Sequence, residues 1–124
     1  MEKVAFDNIE EVDERHLHIL WTNSNPVTSE HMVLVYATNA MLNRWYDKVT
    51  VILWGDTQKL ALENEAIQLK MMLAKQAGVK FTACVTCSRN LGCTTELEQN
   101  DIENVRWGER LSLLMQEGKP LLTI

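Results

Sequence analysis

Cys84 and Cys87, spaced Cys-x-x-Cys, are the residues of this sequence best suited to covalent chemistry, and Cys93 follows close behind them. A thiolate is the nucleophile in disulfide exchange and in sulfur transfer, and a second thiol three residues on can resolve an intermediate formed on the first. If a helix begins near Cys87, its free backbone N–H groups and its dipole favour a thiolate and lower the pKa. Arg89 adds a positive charge to the same segment. Free cysteines are also common as small buried apolar residues, which is how Cys93 is read, whereas Cys84 and Cys87 are taken as candidate catalytic residues. A closed zinc site needs about four ligands. Only these three cysteines are local and no second Cys-x-x-Cys exists, so no metal is expected. An odd number of cysteines, with no basic and apolar start of an export signal, also argues against a disulfide framework.

Asn23, Trp54, Asp56 and Arg89 are the candidate binding residues. Each has a plainer alternative. Asn23 lies in the turn-forming run Thr22-Asn23-Ser24-Asn25-Pro26, and Asp56 follows Gly55, both suited to closing a strand. Trp21 and Trp54 end predicted strands, where an indole walls a site or fills core. His16 and His18 are two apart and point to one face of a strand. They sit at its start, the end opposite the expected site, and are read as structural or surface residues. His31, in a predicted first helical turn, lies nearer that site. No G-x-G-x-x-G or other glycine-rich phosphate loop occurs, so no cofactor is expected.

The elements that would position these residues follow from apolar runs and punctuation. His16–Trp21, Val49–Trp54 and Val79–Val85 are short apolar runs that read as strands. Between the first two, Thr28 or Ser29 opens a helix with Leu34, Ala37, Met41 and Trp45 on one face. A second helix runs from about Asn64 to Ala77 and stops at Gly78. Residues 88–99 read as a weaker helix broken by Gly92, Asn104–Trp107 as a fourth strand, Glu109–Gln116 as a helix, and Pro120–Ile124 as a fifth strand. Strands alternating with helices imply right-handed βαβ units and a parallel sheet covered on both faces. In such sheets the site lies outside the carboxyl ends of the strands, which selects Thr22–Asn25, Gly55-Asp56, Cys84–Cys87 and the region around Trp107-Gly108.

The 124 residues suit one domain, here 15–124, preceded by an acidic N-terminal extension over 1–14. Apolar residues make up 46% and charged residues 23%, enough to build a core. The 12 basic and 17 acidic side chains give a net charge of −5 with no cluster of Lys and Arg, so neither nucleic acid nor a membrane surface is an expected partner. The longest apolar run, Met32–Ala37, is far too short to span a bilayer. A cytoplasmic protein is expected, and methionines and tryptophans outside the predicted core make self-association reasonable.

The chain resembles the DsrE-like family, small α/β proteins of sulfur relay and sulfur oxidation. The resemblance runs from about Leu17 to Ile124 and rests on the first strand ending at Asn23, Trp54-Gly55 after the second, Ala77-Gly78-Val79 leading to Ala83-Cys84, Gly92 in a short helix, and Glu117-Gly118 before a last apolar strand. It implies a three-layer α/β/α fold with a five-stranded parallel sheet, and a homo-oligomer, trimer or hexamer. It implies a sulfurtransferase-like carrier of persulfide sulfur, passed between donor and acceptor proteins. Cys84 matches the relay cysteine at the end of the third strand, and Cys87 a second cysteine found in a subset of the family. The stretch Ser88-Arg89-Asn90-Leu91 departs from the small-residue, arginine-rich pattern of the relay members, so the tRNA-thiolation role does not carry over with it. The alternative is a non-catalytic binding or assembly module on the same fold, and a third reading is simple disulfide redox by Cys84 and Cys87.

Overall fold

The computed structural model describes residues 15–124. The extension expected over 1–14 lies outside the described residues. Five strands, β1 (His16–Trp21), β2 (Lys48–Leu53), β3 (Lys80–Cys84), β4 (Glu103–Val105) and β5 (Leu121–Thr123), form one sheet in the order β4-β3-β2-β1-β5, and every pairing is parallel.

The first helical run, α1 (26–42), comprises an α-helical turn Pro26–Thr28, a π-helical stretch Ser29–Val35 and an α-helical stretch Tyr36–Leu42. It begins earlier than the sequence predicts. Asn25 is the cap, its Oδ1 accepting from the Thr28 N–H at 3.0 Å, and Pro26 occupies the first helical position, where its missing N–H costs nothing. Trp45 lies beyond the end of α1 and is exposed rather than on its buried face.

After β2 comes a helix the sequence did not announce, α2 (Thr57–Glu63). Then follows α3 (Glu65–Gln76), capped by Asn64 through its Oδ1 and the Ile67 N–H. The predicted weak helix over 88–99 is two, α4 (Val85–Leu91) and α5 (Thr94–Gln99), with Gly92 between them. Finally α6 (Trp107–Gln116) joins β4 to β5.

The chain order fixes which face each helix covers. From β1 to β4 the sheet grows in one direction, so right-handed crossovers put their helices on one side; the return from β4 to β5 runs the other way and puts α6 on the opposite side. The first side holds the main core. Leu17, Ile19 and Trp21 of β1, Val49, Val51 and Leu53 of β2, and Phe81 and Ala83 of β3 pack there against Val33, Leu34 and Ala37 of α1 and Ile67, Met71 and Ala74 of α3.

The second side differs from the uniformly apolar face expected of a parallel sheet. Aligned by register, its rows are His16 and Lys48; then His18, Thr50 and Lys80; then Leu20, Ile52, Thr82 and Glu103; then Cys84 and Val105. It is apolar towards the carboxyl ends of the strands and polar towards their amino ends. Helix α6 packs on the apolar half, where Trp107, Leu111 and Leu114 gather with Leu20, Ile52, Cys84 and Val105.

Candidate functional site: a thiol pair at the end of β3

Cys84 is the last residue of β3 and occupies the cap position of α4, and Cys87 lies in the first turn of that helix. The strand-to-helix junction therefore turns both side chains towards one place, the apolar cluster under α6, where Cys87 and the partly buried Trp54 pack around the buried Cys84. Both cysteines are free thiols. Cys84 is only 4% exposed, while Cys87 is partly open to solvent.

The Cys84 thiol acts on that of Cys87. Burial pushes the Cys87 thiol above its ordinary value, the Gly55 backbone N–H pulls it partly back, and the neighbouring Cys84 thiol pushes it up again. This corrects the expectation of a depressed pKa. Helix α4 has only seven residues, and desolvation outweighs the donors facing the sulfur. Arg89 does not supply the expected compensating charge: it lies in the last turn of α4 and its side chain is exposed. Gly55, by contrast, takes part through its backbone. Its φ of +70° is one that L side chains rarely adopt, and it turns the chain from the end of β2 into the Cys87 contact.

The other predicted binding residues divide. Trp54 joins the thiol cluster. Asp56 sits beside Gly55 in the cap position of α2, exposed, where its carbonyl accepts from the Lys59 and Leu60 N–H groups. Asn23 does turn chemistry: its Oδ1 accepts from the Asn25 N–H, and its carbonyl accepts from Trp21 Nε1 at 3.0 Å and Ser29 Oγ at 2.7 Å. Trp21 is a core residue. Cys93 is buried in the main core as expected, and its Sγ donates to Gln58 Oε1 at 3.6 Å.

Gln58 escaped the sequence reading. It is fully buried on α2, and its Nε2 donates to the carbonyls of both Leu53 and Cys84 at 3.1 Å. One amide thus ties the carboxyl ends of β2 and β3 together behind the thiols. A glutamine in a seven-residue helix carries no sequence signal for that role. Thr57 acts similarly between β1 and β2, its hydroxyl donating to the carbonyls of Trp21 and Trp54. Among the described residues no group of three or more His, Cys, Asp or Glu side chains could hold a metal ion.

No family model matches the chain, and no curated protein matches it. Its fold is similar to the solved structure of a conserved protein of unknown function from Bacteroides thetaiotaomicron, with a TM-score of 0.84 and 29% identity over 89% of this chain and 95% of that one. The architecture is thus a three-layer α/β/α fold around a five-stranded parallel sheet. No helix among the described residues is long and apolar enough to cross a membrane.

Proposed function

We propose that this chain is a thiol-based sulfur carrier of the DsrE-like type, with Cys84 and Cys87 acting as one pair. The observation that carries the reading is a contact between two free thiols at the carboxyl end of β3, one partly open to solvent and one buried that acts on it. The resemblance makes Cys84 the carrier and Cys87 the resolving thiol, but exposure supports the reverse, with Cys87 as the thiol that meets the donor. Its thiolate attacks the outer sulfur of a donor persulfide. A bond forms from Cys87 Sγ to that sulfur, the donor's sulfur–sulfur bond breaks, and the donor leaves as a thiolate. An acceptor thiolate then removes the outer sulfur and regenerates Cys87. Cys84 can instead attack the Cys87 sulfur, releasing hydrosulfide and leaving a Cys84–Cys87 disulfide. The partner proteins are the sulfur donor and acceptor, the carrier is expected to self-associate as a trimer or hexamer, and the compartment is the cytoplasm.

Mass spectrometry after incubation with glutathione persulfide tests this. The peptide bearing Cys87 should gain the mass of one sulfur atom, and Cys87→Ser should abolish the gain. A chain that gains no sulfur and forms no Cys84–Cys87 disulfide would overturn it. The raised Cys87 pKa favours a second reading, a binding or assembly module without thiol chemistry. That reading gains if a partner isolated with the protein still binds the Cys84→Ser, Cys87→Ser double variant.

A further inference from the structure

The polar half of the sheet's second face lies at the amino ends of β1, β2 and β3, the edge opposite the thiol pair. A cavity of about 310 Å³ opens there between the sheet and α6, at the small end of the volumes that hold small-molecule ligands. We propose that this cavity binds a small organic anion, its charge held by Arg110 and Lys80 and its polar atoms by His18 and Thr50.

Four observations converge on that assignment. The first is charge. Among the described residues Lys80 and Arg110 line the cavity beside the carboxylate of Glu103, in a chain whose net charge is −5. Glu103 is paired to Lys80 at 3.0 Å, and Arg110 adds a further positive charge beside that pair. A concave wall of protein concentrates the field of such charges and attracts an anion.

The second is His18. It is 8% exposed and lines the cavity, and its Nδ1 is buried with no hydrogen-bond partner among the described residues. A buried polar atom without a partner costs about 1–3 kcal/mol, so a ligand atom that met it would recover that cost. The third is rigidity. The imidazole is held by its neighbours: it stacks on His16 with centroids 4.0 Å apart and meets the Trp107 ring edge-on at 5.7 Å. His16 Nε2 in turn lies 2.8 Å from Thr50 Oγ1. The fourth is the placement of Arg110, whose guanidinium carbon lies 5.4 Å from the Trp107 ring centroid and is thereby held at the cavity rim. Burial, then the charge of His16, then that of Arg110 lower the His18 pKa to about 4, so the imidazole meets a ligand as an uncharged hydrogen-bonding group.

The Trp107 indole N–H donates to Thr82 Oγ1 at 2.9 Å, at the cavity wall, and its nuclear magnetic resonance signal reports on occupancy. The full chain is titrated in separate arms with inorganic phosphate and with succinate, at constant ionic strength maintained with chloride. The expected result is a saturable shift of the Trp107 indole signal in at least one arm; the arm that saturates at lower concentration identifies a phosphate or a carboxylate as the preferred group. Arg110→Gln, at an exposed position, should weaken that binding at least tenfold while leaving the rest of the spectrum in place, and Lys80→Gln should weaken it as well. Failure of both anions to give a saturating shift would overturn the proposal, as would wild-type affinity in Arg110→Gln.

Discussion

At the scale of single residues, the chemistry of Cys87 depends on a balance between desolvation and the groups that touch its sulfur. Burial is the largest influence and raises the pKa, the Gly55 N–H lowers it, and Cys84 raises it in two ways, through its side-chain hydrogen bond and through its charge. Cys84→Ala removes both contributions of Cys84 and leaves burial in place. The Cys87 pKa should therefore fall. The rate of iodoacetamide alkylation against pH measures it, because only the thiolate reacts. An unchanged alkylation profile in Cys84→Ala would show that the two thiols do not act on one another, and the carrier reading would lose its basis. The same balance makes a resting Cys87 mostly protonated at neutral pH. A donor persulfide must then meet a small thiolate fraction, and turnover should rise as pH rises towards the Cys87 pKa.

At the scale of elements, the site is held by contacts between segments far apart in sequence. Gln58 on α2 joins the ends of β2 and β3, 26 residues separating it from Cys84. Gln58→Leu keeps the volume roughly constant and leaves the Leu53 and Cys84 carbonyls without this donor. It should cost about 2 kcal/mol, the penalty for unpaired buried polar groups, seen as a lowered urea midpoint with unchanged slope. Loosening the end of β3 should also speed alkylation of Cys84 in the native state. A variant as stable as the wild type, with Cys84 equally protected, would show that the amide does not fix the junction. This contact also marks where sequence stops being informative. The strands β1, β2 and β3 were legible because each is a continuous apolar run closed by turn residues, and Cys84 fell at a strand end for that reason. Helix α2 was not, because Leu60, Ala61 and Leu62 are adjacent and show no helical period over seven residues. The long-range partners of Gln58 have no local signature, since they are set by which strands pair. Likewise, the direction of the Cys87 shift follows from the packing of Trp54 and Cys84 around it rather than from the spacing of the cysteines.

At the scale of the whole molecule, the two sides of the sheet carry different physics. One side is an apolar core between the sheet and five helices, and it supplies the stability. The other is covered by α6 alone, and its polar half holds histidines that the sequence placed at an uninteresting end of a strand. His18 is the residue through which that side makes the fold sensitive to acid. Burial, then the charge of His16, then that of Arg110 lower its pKa from the ordinary 6.5 to about 4. In the unfolded chain the imidazole takes up a proton near 6.5, whereas in the folded protein it resists until about pH 4. The unfolded state therefore binds more protons across that window, and stability falls as pH falls. The stabilisation is complete above pH 6.5 and is lost progressively down to about pH 4, a total of about 3 kcal/mol at 1.36 kcal/mol per unit. His18→Leu fills the same space without a proton to bind, so its urea midpoint should decline much less between pH 6.5 and 4 than that of the wild type. The His18 ring signals followed by nuclear magnetic resonance give the direct measurement, with a titration midpoint expected near 4. A midpoint at the ordinary histidine value, with equal acid sensitivity in His18→Leu, would mean that the imidazole is solvated and that the polar half of this face is open water rather than a built cavity.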